Sequence, residues 1–576
     1  MLSESKLLQV SKPGRYIGNE INIVQKNPAN VAVRFAFCFP DVYEIGMSNL
    51  GLQIMYFLLN ERTDTFCERV FMPWTDMLPI MQAEKTPLWA LETGDPINNF
   101  SFLGFTLQHE LSFTNVLAML DLAGLPLHSN QRTNDMPIVC AGGPCACNPE
   151  PMASFVDFFY IGDGEATINS ILDIYCENKR KNGGKHNKQD FLADIANLSG
   201  VYVPAFYQTT YNNDGTIAQF TPIIANAPKT VQKTLVKSLD ETFFPDKMLV
   251  PLIDTAHNRV SLELFRGCKH GCKFCQASAT QRPIRYRKPE TLLKQAQTLL
   301  DNTGHEEISL VSLSTSDYPW FTPLLDELLK ITAARNVNIS LPSLRLDAVS
   351  LDALQKTQEI RRSSLTFAPE AGTQRLRDVI RKNITALDIN EGCRAAFAAG
   401  FDRIKLYFMT GLPTETDKDL QAIALLSQEI SDEYYLLPRE QRRRPLTLNV
   451  SCSCFVPKPF TPFQWESQDT AETFIQKQKY IKDNLKNKRI VYRYHDAKTA
   501  VVEGVLSRGD RRVAAAIESA YKKGAIFDSW TEVFSYDLWE QAFAETGVSP
   551  EFYAYRKRDS AEILPWNFIK VGDYHE

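Results

Sequence analysis

The sequence predicts an α/β protein with two sheet-bearing halves and a mostly helical C-terminal tail. Three observations point there. From about residue 258, strand-like apolar runs alternate with helix-like stretches. Residues 31–170 carry a second alternation of the same kind. Glycines punctuate the strand ends of that earlier half. Strands alternating with helices imply βαβ units and parallel sheets. A length of 576 residues suggests three or four domains. The expected division is an N-terminal arm (1–30), an α/β domain (31–199), a strand-rich linker (200–253), a core domain (254–484) and a helical region (485–576).

In the first half, strands are expected at Val31–Phe37, Phe100–Thr106, Pro137–Ala141 and Phe158–Ile161. The pattern is that of a doubly wound, flavodoxin-like sheet. Gly46, Gly51, Gly104, Gly142, Gly143, Gly162 and Gly164 lie at or near the strand ends. In open α/β sheets, ligands bind outside the carboxyl ends of the strands. Small residues there let a large ligand reach the backbone. In the linker, Asn212-Asn-Asp-Gly215 reads as a hairpin turn.

In the core domain, strands are expected at Val260–Phe265, Ile308–Leu313, Val337–Leu341, Ser364–Phe367, Ile404–Phe408 and Leu446–Cys454. Pro289–Leu300 opens with proline and glutamate, a good helix start. Helices over Leu324–Ala334, Leu351–Gln358, Gln374–Arg381 and Lys418–Ile430 follow. Thr414 and Asp417 fit a capping box for the last of these. Right-handed crossovers curl six such units into a partial (β/α)6 barrel. Six strands are too few to close, so one side gapes. In such barrels the active site lies at the C-terminal ends of the strands.

Directly after the first of these strands comes LFRGCKHGCKFCQAS, with Cys268, Cys272 and Cys275 at C-x3-C-x2-C spacing. Three thiolates this close together suit a metal or a cluster better than disulfides. Three is one short of the four that close a cubane, which leaves one iron open. A structural zinc is the alternative, with His270 as a fourth ligand. The three cysteines, with Phe274 before the last, resemble the signature of the radical SAM superfamily. The resemblance implies a 4Fe-4S cluster whose open iron chelates S-adenosylmethionine. It also implies reductive cleavage to a 5′-deoxyadenosyl radical and a reductant such as flavodoxin or ferredoxin.

The other strand ends then become candidates for holding the cosubstrate. Ser314-Thr-Ser-Asp317-Tyr318 stands where many family members carry a Gly-Gly-Glu-like run, and departs from it. Arg345 could meet the methionine carboxylate, or pair with Asp347. Glu370, in Ala368-Pro-Glu-Ala-Gly372, could accept from a ribose or an ammonium; the alternative is an acid favoured by a helix N-terminus. Gly411 permits close backbone approach, at the place where related enzymes form an adenine shelf. Phe455–Trp465, rich in proline and aromatics, is either a wall around the radical or a packed lid.

The first half, from Gly104-Phe-Thr106 through Ala141-Gly142-Gly143-Pro144 to Ile161-Gly162-Asp163-Gly164-Glu165, resembles the cobalamin-binding domain fused to many radical SAM enzymes. It lacks an Asp-x-His-x-x-Gly run to ligate cobalt from below. With cobalamin, the resemblance implies methyl transfer to an unreactive carbon or another radical modification. Cys140, Cys145 and Cys147, and likewise Cys452 and Cys454, read either as a second cluster or as small buried hydrophobes. Ser507–Arg512 could bind a phosphate or build an ion-pair network.

Composition bounds the partners. Apolar residues make up 44% and charged residues 23% of the chain, and the net charge is −5. No broad basic field advertises nucleic acid. No run of 18 apolar residues suggests a membrane span. Twelve cysteines in a chain this long are not a disulfide framework, so a cytoplasmic location is expected. Two alternatives stand beside the radical enzyme with a small-molecule substrate: an RNA-modifying enzyme like the tRNA methylthiotransferases, and a non-catalytic zinc- or cluster-binding scaffold.

Overall fold

A computed structural model describes residues 3–341, 365–442 and 444–572. They divide into two compact units. The first holds residues 1–258, 505–549 and 561–576; the second holds 259–504 and 550–560. The segment 485–576, expected as one helical region, is thus shared between the two units.

The first unit is built on a six-stranded sheet: β1 (Val33–Phe39), β2 (Thr65–Phe71), β3 (Phe102–Thr106), β4 (Ile138–Gly142), β5 (Phe158–Tyr160) and β6 (Val201–Tyr202). Their order is β2-β1-β3-β4-β5-β6. All neighbours run parallel except β5 and β6. This is the 2-1-3-4-5 order of a flavodoxin-like sheet with an antiparallel edge added. Helix Phe113–Leu122 is buried along eight of its ten residues. The tail helix Val513–Lys522 packs against it, and helix Tyr536–Thr546 against that one. Residues 1–30 are anchored by buried ion pairs: Arg15 to Glu44 at 2.8 Å and Glu20 to Arg69 at 2.7 Å. Beyond the sheet, β7 (Tyr207–Tyr211) and β8 (Ile217–Pro222) form the hairpin expected around Gly215. The short β9 (Val231–Gln232) pairs with Ile569–Lys570 near the C-terminus.

In the second unit, β10 (Val260–Glu263) is followed by a small ribbon of β11 (Phe265–Arg266) and β12 (Arg285–Tyr286). Next come β13 (Glu307–Val311), β14 (Asn338–Ser340), β15 (Leu365–Glu370), β16 (Arg403–Thr410), β17 (Thr447–Cys454) and β18 (Ile490–Tyr494). They form two parallel sheets, β10-β13-β14 and β15-β16-β17-β18. One face of the four-stranded sheet carries Phe367, Leu406, Val450 and Cys452 into a core completed by Cys393, Phe397, Ile423, Ile430 and Ile481. Those residues come from helices Ala386–Ala398, Asp417–Leu436 and Ala471–Asn484. Strand β18 and the first and last of these helices were not expected. The helix expected at 351–358 and the candidate Arg345 lie outside the described residues. The capping box of Asp417–Leu436 uses Thr416 and Asp419, two residues beyond the expected pair. Thr414 instead accepts a hydrogen bond from Arg375.

Candidate active site

The cysteine motif lies in the loop between β11 and β12, just past the carboxyl end of β10. Gly267 opens the loop at φ +99°; a Cβ there would stand 2.8 Å from the Gln281 carbonyl oxygen. The loop is tied down by its own neighbours. Arg282 donates to the carbonyls of Cys268 and His270 at 3.3 and 3.2 Å. Cys275 donates its amide to the Cys272 carbonyl at 3.1 Å and caps helix Gln276–Thr280. The Lys273 amide donates to the Ile380 carbonyl at 3.0 Å, and the Phe463 amide donates to the Lys273 carbonyl at 3.3 Å. Backbone hydrogen bonds therefore join the motif to segments that follow β15 and β17.

All three cysteines are half-buried and unpaired. Burial pushes the Cys268 thiol up, and pushes Cys272 up to about 11 although Lys382 pulls it down. Among the described residues, no three cysteine sulfurs lie within 4.8 Å of one another. Sulfurs around a tetrahedral zinc would be about 3.8 Å apart, given Zn–S near 2.3 Å. His270, the other candidate zinc ligand, is engaged by Asp317 through Nε2 at 2.5 Å.

Asp317 organises the floor below the motif. Burial alone would raise its carboxyl, but hydrogen bonds from His270, Ser314 and Lys269 hold it well below the usual range. Lys269 Nζ stands 2.9 Å from it. Ser314 is buried with its hydroxyl on this carboxylate, so its place is in the support of the loop.

Glu370 ends β15 at φ +65°, where the register with β16 shifts. It is largely buried, and desolvation raises its pKa against the pull of Lys382. Lys382 Nζ lies 3.2 Å from Glu370 Oε1. Both groups act on the Cys272 thiolate, Lys382 favouring it and Glu370 opposing it. Nothing in the local sequence pattern singles out Lys382. Its link to the site is a turn through Arg381, at φ +54°, after helix Gln374–Val379. Phe274 packs on a cluster of Ala371, Leu376, Ile380, Leu412, Phe455 and Phe463. The Phe455–Phe463 pair is thus part of the packing under the motif.

Gly411, at φ +84°, is crowded by the protein itself: a Cβ would meet Phe474 at 2.6 Å and Asp469 Oδ2 at 2.8 Å. Its amide donates to Glu415 Oε1 at 2.9 Å. Lys477 bridges Glu415 and Asp469 at 2.8 and 2.6 Å.

In the first unit the four candidate glycines divide. A Cβ at Gly162 would collide with Thr234, at 2.2 Å, and one at Gly164 with Met55, at 2.7 Å; the chain's own packing uses both. Gly142 and Gly143 end β4 with Gly143 exposed, and a Cβ there would press the Leu107 backbone at 2.9 Å. Gly143 thus serves the chain's own packing as well, although it and Pro144 are exposed. Cys140, Cys145 and Cys147 are buried; desolvation raises Cys140 strongly and Cys147 to about 11. Cys452 is pushed up to about 12 and Cys454 higher still, also by burial. These are neutral, core-packed thiols. In the tail, Arg511 pairs with Glu150 at 2.9 Å and Arg512 with Asp510 at 2.6 Å, which is the ion-pair reading of that loop.

Comparison with known proteins agrees with this geometry. The family description "Radical SAM proteins, N-terminal" matches residues 51–204, and "Radical SAM superfamily" matches residues 262–426. The chain belongs to the radical SAM superfamily and is an enzyme of that class. A relative in Methanocaldococcus jannaschii, itself uncharacterised, is 26% identical over 86% of this chain and 95% of its own. A threonylcarbamoyladenosine tRNA methylthiotransferase of Bacillus subtilis is 33% identical over 18% of this chain and 23% of its own. Among solved structures, the chain is similar to a radical S-adenosylmethionine methyltransferase of Kitasatospora setae with cobalamin and a 4Fe-4S cluster bound. The TM-score there is 0.48 at 12% identity, over 76% of this chain and 78% of that one.

Proposed function

We propose that Cys268, Cys272 and Cys275 hold a 4Fe-4S cluster and that the enzyme cleaves S-adenosylmethionine reductively to start a radical modification. The observation that carries this reading is a trio of free thiols in the loop just past the carboxyl end of a parallel strand, with His270 engaged by Asp317. Bound there, such a cluster would pass an electron from an external reductant to the cosubstrate. The chain's own residues do the rest. Arg282 and the Lys273 amide fix the loop. Glu370 offers an acceptor for an ammonium or a ribose hydroxyl at the same strand edge, and Lys382 balances its charge. Gly411 and Glu415 shape the neighbouring strand end.

The first unit supports a second cofactor. Its 2-1-3-4-5 strand order and the exposed Gly143 after β4 suit a ligand at the carboxyl ends of the strands. Cobalamin is the reading the sequence resemblance favours, with Gly162 and Gly164 serving packing rather than contact. The outcome is then a methyl transfer or a related rearrangement.

Anaerobic reconstitution followed by an assay for 5′-deoxyadenosine tests the first step. Product is expected with a strong reductant, and none from Cys272→Ala. A loaded cluster that yields none would count decisively against the reading. Corrin bands after loading with hydroxocobalamin test the second cofactor, and Gly143→Val should abolish them.

A further inference from the structure

Parallel sheets are ordinarily covered on both faces. Among the described residues, helices cover one face of the β15–β18 sheet. Along β16 the residues Ile404, Leu406 and Phe408 enter the core, while Arg403, Lys405 and Tyr407 alternate with them and are exposed. Tyr407 keeps 42% of its surface. On β17, Asn449 and Ser451 share that open side, and on β18 Arg493 does. The register fixes their neighbours: Lys405 stands beside Asn449, and Tyr407, Ser451 and Arg493 lie on one rung. On β15, Thr366 stands beside Lys405 on the same side.

Three cations thus stand on an uncovered sheet face, and among the described residues none of the three has an ion-pair partner. Glu370, at the end of β15, is already matched by Lys382. The patch is about 10 Å wide across three strands and about 13 Å long from Arg403 to Tyr407. That is room for one small molecule, and the net charge of −5 offers no wider basic track for a polymer.

We propose that this face is the substrate surface of the enzyme, and that the substrate is a small molecule with phosphate or carboxylate groups held by Arg403, Lys405 and Arg493. Tyr407, Asn449 and Ser451 then supply a ring and neutral hydrogen bonds beside the anionic group. The inference rests on the radical reading for what happens to that substrate, but the binding claim stands by itself.

Titration calorimetry on the full chain tests it, with pyrophosphate, citrate and a transcribed tRNA as probes and sodium chloride of equal ionic strength as control. Pyrophosphate or citrate is expected to bind, and which of them binds tells phosphate from carboxylate. The triple variant R403Q/K405Q/R493Q should fold with an unchanged Tm and bind at least about tenfold more weakly. Binding of neither small anion, or equal binding by the triple variant, would overturn the proposal. So would tRNA binding alone that the triple variant loses, which would assign the face to RNA. Iron and sulfide content, measured on the same samples, separates the two claims. A chain that holds no cluster yet binds citrate through these cations refutes the radical reading and leaves this one intact.

Discussion

Glu370 shows how much of the site is set by single residues. A non-glycine residue in the left-handed region costs about 1–2 kcal/mol, and such strain survives where the surroundings hold it. Here β15 and the Lys382 ion pair do so. Lys382→Met should lower stability by about 2 kcal/mol, read from the urea midpoint, because it strands a buried carboxylate. Adding Glu370→Gln should restore part of the loss, and two simply additive losses would contradict the coupling. At the motif, Cys268→Ala, Cys272→Ala or Cys275→Ala should each abolish iron and acid-labile sulfide uptake while the far-ultraviolet dichroism stays unchanged. The three cysteines, Phe274 and Glu370 were legible because their types and spacing carry chemistry. Lys382 was not: it lies twelve residues from Glu370, and only the turn at Arg381 brings the two together. Asp317 was noticed among hydroxyls, but its grip on His270 and Ser314 depends on folding.

Among the elements, strand edges and helix docking decide stability. Gly372 lies under helix Asp417–Leu436, where a Cβ would meet the Ile423 nitrogen at 2.5 Å and the Asp419 carbonyl oxygen at 2.6 Å. These are backbone atoms that cannot swing away. Gly372→Ala should therefore cost about 1–3 kcal/mol through overpacking, seen as a lower urea midpoint; an unchanged midpoint would contradict it. In the first unit, Asp528 joins helices Phe113–Leu122 and Tyr536–Thr546 by accepting from Thr114 at 2.7 Å and Trp539 at 3.0 Å. Burial raises its pKa to about 6 from 3.8, against those two hydrogen bonds. The folded state then keeps a proton that the unfolded chain releases. Its contribution is fully present below about pH 3.8, falls as the pH rises to about 6, and is flat above. Asp528→Asn should remove that fall, measured as Tm against pH; an unchanged slope between pH 4 and 6 would contradict it. Two strands were missed from sequence, each for its own reason. Strand β2 reads TFCERVF, with Glu68 and Arg69 at its centre. Both are fully buried, satisfied by Arg34, Glu20 and Glu92 from elsewhere in the chain. Charges whose partners are remote in sequence look like exposure until the fold supplies them. Strand β18, IVYRY, is short and half-exposed, and its pairing with β17 is what defines it.

At the scale of the whole molecule, alternation of strand and helix gave both parallel sheets, and the strand order of the first unit is the flavodoxin-like one. The tail was harder to read. Its helices complete the first unit, while residues 550–560 return to the second, and such long-range closure leaves no local pattern. No helix among the described residues is long and apolar enough to cross a membrane. The reading proposed for these features is an iron–sulfur centre held by Cys268, Cys272 and Cys275 and left one ligand short. Electron paramagnetic resonance of the reduced, reconstituted chain, with and without S-adenosylmethionine, tests that claim most directly. The account predicts a 4Fe-4S signal that changes shape when S-adenosylmethionine is added. A loaded cluster whose signal is indifferent to it, or a chain holding about one zinc with no sulfide, would contradict the account.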